Sequence, residues 1–325
     1  MNHLGIDLSK QYFDATLQTE SGEQVYGRFE NNRQGFAELD KWLVSQSVSE
    51  LHACMEATNI YWEELADYLY SKGYRVSVVN PARIKGFGMS QLQRNKTDKV
   101  DSKVIVAFCA ALSPKPWQPP TAAQRKLRSL VRHRDALVKT RTQQKNRLAD
   151  CRDEDVRLSL QTLLATLESE IERIEQQIAD LIQQDPDLRE QKRLLSSIKG
   201  IGEVAAHVIM AEMYDLADYE DAHAAAADAG VNPAHYESGH TIRRKPRMSK
   251  VGKTAVRRAL YMPALAAIRS NPVIIALAQK MQQQKKHKLV IIGAAMRKLI
   301  HIAYGVLKNR TPFDPQWAVD ARAST

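Results

Sequence analysis

At 325 residues the chain exceeds one ordinary core, so two or three domains are expected. It has no apolar run of membrane-spanning length and no signal-peptide pattern at its start, which argues against a membrane-spanning or secreted protein. The three cysteines (Cys54, Cys109, Cys151) lack metal-ligand spacing and fall in stretches that read as strand or helix. Buried thiols in a reducing cytoplasm are expected, with neither disulfides nor zinc.

Residues 3 to 30 read as strands: His3 to Asp7, Tyr12 to Thr19 and Gln24 to Phe29, with Ser21-Gly22 turning between the last two. Asn31 or Asn32 caps a helix with Phe36, Leu39, Trp42 and Leu43 on one face. A fourth strand, Leu51 to Glu56, leads to a helix through Tyr61, Leu65, Tyr68 and Leu69 that ends at Gly73. A fifth, Tyr74 to Val79, stops at Asn80-Pro81. Three strands followed by helix–strand–helix–strand predict a mixed sheet covered by helices. The next helix starts near Asp98 with Thr97 as its N-cap and closes this domain. Pro114, Pro116, Pro119 and Pro120 then mark a linker.

From Thr121 to Asp185 the pattern is of long helices. The first part is basic, with Leu127, Leu130, Val131, Leu137 and Val138 as its apolar stripe. The second places Leu160, Leu164, Leu167, Ile171, Ile174, Ile178 and Leu181 at strict a/d heptad spacing. The seam serves an intramolecular hairpin or an intermolecular coiled coil equally well. Either way it is a stalk or an oligomerisation arm. After Asp185-Pro186-Asp187, Gly200-Ile201-Gly202 between two helices fits a helix–hairpin–helix turn on phosphate and fits a tight structural turn equally. A small Ala-rich helix, Ala222 to Ala229, ends at Gly230. Helices from Thr254 to Arg269, Pro272 to Gln283 and Leu289 to Leu307 complete the chain.

The net charge of +10 is unevenly spread. Ser238 to Phe313 contains no Asp or Glu and 17 of the 47 basic residues, so the rest of the chain is net acidic. A long segment without compensating acid repels itself and calls for a polyanionic partner, nucleic acid. Arg243, Arg244, Lys245, Arg247, Lys250, Lys253, Arg257 and Arg258 form its densest run, directly after Tyr236-Glu237-Ser238-Gly239. Ser238 there is a candidate nucleophile beside a phosphate cradle, with a plain surface serine as the simpler reading. Tyr236 is a rival nucleophile.

Asp98 and Asp101 lie three residues apart and so share a helix face. Acids are also common in a helix's first turn, where the macrodipole favours them. Asp7 and Glu56 each terminate an apolar strand, where side chains emerge at the sheet's carboxyl edge. Four acids converging there would make an all-oxygen site for Mg²⁺ or Mn²⁺, suited to phosphodiester chemistry.

Several ordered motifs share one pattern: Gly5-Ile6-Asp7, Glu56-Ala57-Thr58, Asn95-Lys96-Thr97-Asp98 with Asp101, and Gly200-Ile201-Gly202. Tyr236-Glu237-Ser238-Gly239, Arg247-Met248-Ser249-Lys250 and Arg257-Arg258-Ala259-Leu260-Tyr261-Met262-Pro263 follow in the same order. With them the chain resembles, over nearly its whole length, the DEDD-type transposases of the insertion sequence 110 family, also described as bridge-RNA-guided serine recombinases. It departs from the pattern at Asn59, where glycine is expected, and at Ser102, where alanine is expected.

The resemblance implies an α/β RuvC-like, RNase H-type domain over 1–115 whose Asp7, Glu56, Asp98 and Asp101 hold Mg²⁺ or Mn²⁺. A proline linker and helical coiled-coil stalk would span 116–190. A mainly α C-terminal transposase domain with Ser238 as nucleophile would span 191–325. It further implies DNA as donor and target, a structured noncoding bridge RNA, a homo-oligomer (a dimer assembling to a tetramer) and action in the bacterial cytoplasm. Two other functions share the same residues. A junction-resolving nuclease would use the four acids to activate water. A nucleic-acid-binding protein with a decayed site would need only the basic segment.

Overall fold

The structure, a computed structural model, describes residues 1–57, 60–91, 98–238 and 242–316, without the side chains of 98–99, 235–238 and 242–246. It divides into two compact units, Met1–Pro119 and Pro120–Thr325.

In the first unit, β1 (Asn2–Leu8), β2 (Tyr12–Gln18) and β3 (Gln24–Glu30) form an antiparallel meander. After α1 (Arg33–Ser45), β4 (Leu51–Glu56) pairs parallel to β1; after α2 (Glu63–Ser71), β5 (Arg75–Val79) pairs parallel to β4. The order β3-β2-β1-β4-β5 makes the mixed sheet that the strand pattern predicts. Of the two asparagines before α1, Asn32 is the cap: its side chain accepts from Gly35 N at 2.9 Å. Alternation sends Leu4, Ile6, Phe13, Ala15 and Leu17 to one face, where they pack with Phe36, Leu39 and Leu43 of α1 and Leu65 and Leu69 of α2.

The other face carries α3 (Pro81–Ser90) and α4 (Asp98–Leu112), packed through Cys54, Ile84, Ile105, Phe108 and Cys109. The sequence reading stops a strand at Asn80-Pro81 and misses α3. The same two residues start it: Asn80 caps the Ala82 amide at 2.9 Å, and Pro81 fills the first helical position. The proline-rich stretch is pinned to β5. Ser77 Oγ donates to the Pro114 or Lys115 carbonyl at 2.9 Å, and Trp117 N donates to Val76 O at 2.7 Å.

The second unit begins with α5 (Ala122–Asp150), opened by a Thr121–Gln124 capping box, and α6 (Glu154–Gln184). They form an antiparallel hairpin, crossed by Arg134–Glu175 and Lys145–Glu168 ion pairs. The heptad seam is buried in the chain from Leu160 to Ile178, but the last buried position is Ile182 where the strict repeat predicts Leu181. A straight helix advances 3.6 residues per turn, so a 3.5-residue stripe drifts off its face. Cys151 is a half-exposed cap of α5 rather than a buried helical thiol.

The hairpin's root, Leu127, Val131, Ile174, Ile178 and Ile182, belongs to the core of this unit. Packed with it are α7 (Pro186–Ser196), α8 (Glu203–Glu212), a 3-10 turn (Leu216–Asp218) and α9 (Ala222–Asp228), then α10 (Thr254–Ala259), α11 (Tyr261–Ser270), α12 (Pro272–Gln283) and α13 (Lys288–Asn309). By length and hydropathy α13 is long and apolar enough to cross a membrane, which the sequence reading did not expect. Nine of its residues, Ile291 to Leu307, are buried, and eight of them belong to this core, as a core helix requires. Gly200 has φ +106°, and a Cβ there would meet Ala267 Cβ at 2.6 Å, so the Gly-Ile-Gly turn has a packing reason of its own. A β-ribbon, β6 (Pro233–Ser238) with β7 (Ile242–Met248), stands where the sequence reading has only a basic run. In a two-stranded ribbon β7 keeps one edge unpaired, and its register with β6 is irregular opposite Ala234–Tyr236, so Pro246 is tolerated in it.

Candidate active site

The acidic edge is built by how α4 lies on the sheet. A Cβ on Gly5 would come 2.2 Å from Val106 N and 2.4 Å from Ser102 O, so only glycine lets this helix backbone touch β1. Further along, Cys109 Sγ reaches His52 O on β4 at 3.6 Å. Residues 102 and 106 thus lie over the middle of β1, and residue 109 over the start of β4. The helix therefore runs antiparallel to both strands. Its first turn, with Asp98 and Asp101, is at the carboxyl end, where Glu56 terminates β4 and Asp7 is the last residue but one of β1. That strand runs on to Leu8, where the sequence pattern predicts an end at Asp7. Asp7 follows Gly5 by two residues and so faces the same helix.

The register adds an acid that the sequence reading missed. Asp14 on β2 is the cross-strand partner of Asp7, only 4 % exposed, and accepts a hydrogen bond from Tyr26 Oη. Its signal was the short connection at Ser9–Gln11, which forces Asp7 opposite Asp14. The next pair on this face, Gly5 with Thr16, meets Ser102: the Thr16 and Ser102 hydroxyls are 2.8 Å apart and fully buried. The serine that replaces the expected alanine therefore bonds the helix to the sheet. Asn59, the other departure, and Thr97 lie outside the described residues, as does the side chain of Asp98. Among the described residues, no three His, Cys, Asp or Glu side chains are gathered closely enough to hold an ion. Asp7, Glu56 and Asp101 are nonetheless all-oxygen donors on elements that meet at one edge of the sheet, the donor chemistry of a hard divalent cation, so the residue types suit Mg²⁺ or Mn²⁺.

Ser238 is the last residue of β6, paired with Ile242 across the ribbon's end. Tyr236 is two residues back, opposite Arg244, and Glu237 is opposite Arg243. The side chains of these residues and of Lys245 are outside the description. Arg247 and Lys250 are exposed. Lys253 pairs with Asp228 at 3.0 Å, and Arg257 donates to Lys250 O at 3.0 Å and Thr254 Oγ1 at 3.1 Å, so both also hold the fold.

Arg258, Lys253, Arg132 and Lys139 line an open cleft of about 530 Å³ between α5, α8 and α10. Its floor is Glu212, 8 % exposed, which takes a two-pronged bond from Arg132 (Nε 2.7 Å, Nη2 2.9 Å). Burial pushes the Glu212 carboxyl up, but the Arg132 fork, with Lys253 and Arg128 nearby, outweighs it and holds the group below the usual range.

Comparison with known proteins gives the family. A family model described as a transposase, DEDD_Tnp_IS110, matches residues 4–154, and one described as "Transposase IS116/IS110/IS902 family" matches residues 192–279. The pilin gene-inverting protein of Moraxella lacunata is 33 % identical over 322 residues, 96 % of this chain and 97 % of the relative. Its counterpart from Moraxella bovis matches with the same identity and coverage. The transposase for insertion sequence element IS1328 of Yersinia enterocolitica is 24 % identical over 344 residues, covering 95 % and 98 %. With two family models along its length and full-length relatives at this identity, the chain belongs to the IS110 family of transposases.

Proposed function

We propose that the chain moves its own insertion element as a site-specific recombinase, with Asp7, Glu56, Asp98 and Asp101 holding Mg²⁺ or Mn²⁺ and Ser238 as nucleophile. The observation that most supports this is the lie of α4 antiparallel to β1 and β4, with its acidic first turn at their carboxyl edge. Held by these four acids, a divalent cation would supply Lewis-acid stabilisation of charge on the scissile phosphate. The acids fix that position relative to the sheet. The Ser238 hydroxyl gives up its proton and its oxygen bonds to phosphorus, while the sugar oxygen of the cut strand leaves and takes up a proton. A second strand's hydroxyl then reverses the step and frees Ser238. One phosphoester bond forms for each that breaks, so no ATP is consumed.

Arg243, Arg244, Lys245, Arg247, Lys250, Lys253, Arg257 and Arg258 bind phosphates in this reading, in donor and target DNA and in a structured bridge RNA that chooses sequence by base pairing. Such a complex acts in the cytoplasm as a dimer that assembles to a tetramer. The relatives named for pilin gene inversion favour strand exchange over simple hydrolysis. The test incubates the full chain with Mg²⁺, element-flanking RNA and labelled junction DNA, and looks for an SDS-resistant protein–DNA band. The band is expected to vanish in Ser238→Ala and persist in Tyr236→Phe. Cleavage by Ser238→Ala with no adduct in any sample would instead make water the nucleophile and the protein a junction nuclease.

A further inference from the structure

We propose that Asp14 is a positioning residue for the divalent cation of the acidic edge, a fifth carboxylate acting through Asp7. This rests on the metal-site reading above. Asp7 and Asp14 are direct cross-strand partners, where like charges destabilise a sheet. Asp14 also bears the cost of burial, at 4 % exposure. Among the described residues no ion pair repays that cost, and its hydrogen bond comes from the neutral Tyr26 hydroxyl. Arg28, its partner on the far side, holds its guanidinium 5.1 Å from the Tyr12 ring centre. A chain that needed only a polar link to Tyr26 could use asparagine here. What asparagine lacks is negative charge, and a divalent cation at Asp7 supplies the reason to keep it.

The location agrees. The Thr16–Ser102 bond seals this face one pair earlier. Asp14 is therefore on the α4 side, beside Asp7 and toward the first turn of α4. Its charge adds to that of Asp7, through which it acts on the cation, and Tyr26 holds the carboxylate in place.

The experiment measures Mn²⁺ binding to the full-length protein by titration calorimetry, and thermal unfolding in EDTA and in Mn²⁺, for wild type, Asp14→Asn and Asp7→Asn. Asp14→Asn is expected to weaken Mn²⁺ binding about tenfold or more. It should also raise the melting temperature in EDTA, because a repulsion is removed, and shrink the stabilisation that Mn²⁺ brings. A merely structural Asp14 predicts the opposite: a lower melting temperature in EDTA with Mn²⁺ affinity unchanged, which overturns the inference. If Asp7→Asn also leaves Mn²⁺ affinity unchanged, the metal-site reading itself fails. A loss in Asp7→Asn alone removes only the role given to Asp14. Should Asp14→Asn not fold, Tyr26→Phe decides: weakened Mn²⁺ binding supports the inference, and unchanged binding overturns it.

Discussion

Gly5→Ala is expected to lower the unfolding temperature of the first unit by about 10 °C and to abolish strand cleavage. The new methyl would sit 2.2 Å from Val106 N and 2.4 Å from Ser102 O, both backbone atoms of α4 that no rotamer change can move aside. Overpacking of this kind costs about 3 kcal/mol or more when backbone must shift. The shift available is α4 lifting off β1, which breaks the buried Thr16–Ser102 bond and carries Asp98 and Asp101 away from Asp7. Trp42, Trp62 and Trp117, three of the four tryptophans, lie in this unit, so tryptophan fluorescence during heating reports mainly on it within the full chain. Activity should be lost even at temperatures where the variant remains folded. A variant that melts and cleaves like wild type would disprove the close helix–strand approach.

Arg132→Ala is expected to destabilise the second unit by about 2–3 kcal/mol at neutral pH, and by much less in acid. Removing one partner of a fully buried pair costs roughly 3–5 kcal/mol. Arg132 is half-exposed, at 50 %, so part of its attraction is screened by water and the lower range applies. The pH dependence follows from Glu212, whose carboxyl is held below the usual range in the folded chain. Stability from such a group is present above its unfolded pKa and lost as pH falls through the folded one. The variant loses the lowering effect of Arg132 while burial remains, so Glu212 takes a proton more readily and the cost of its charge falls away in acid. Urea unfolding followed by circular dichroism at pH 7 and pH 4 should show the gap between the two proteins narrowing. A gap of equal size at both pH values would mean that the salt link contributes little.

The sheet was legible because strict alternation in Leu4, Ile6, Phe13, Ala15 and Leu17 suits a strand with one buried face and no helical stripe. Glu56 was legible as the end of an apolar run, whereas β1 continues one residue past Asp7 to Leu8, and α4 begins at Asp98 as the pattern indicates. Asp14 was not, because its meaning lies in cross-strand register and not in its own neighbours. Helix α3 hid behind Asn80-Pro81, a pair that ends a strand and starts a helix by the same chemistry. The β6–β7 ribbon hid because Arg243, Arg244, Lys245 and Pro246 supply no apolar alternation, and its pairing rests on backbone bonds.

The α5–α6 hairpin, with helices of 29 and 31 residues, has a mechanical consequence. At 1.5 Å per residue the helices are about 45 Å long, and the arm that extends beyond the hairpin's root is about 30 Å, the length of about 9 base pairs of duplex. Its fulcrum is the cluster of Leu127, Val131, Ile174, Ile178 and Ile182 in the core. A tilt of one degree there swings the tip by about 0.5 Å. Aim at the far end is therefore set by the volumes of five apolar side chains at the near end, so a core substitution such as Ile178→Val redirects the tip without touching it.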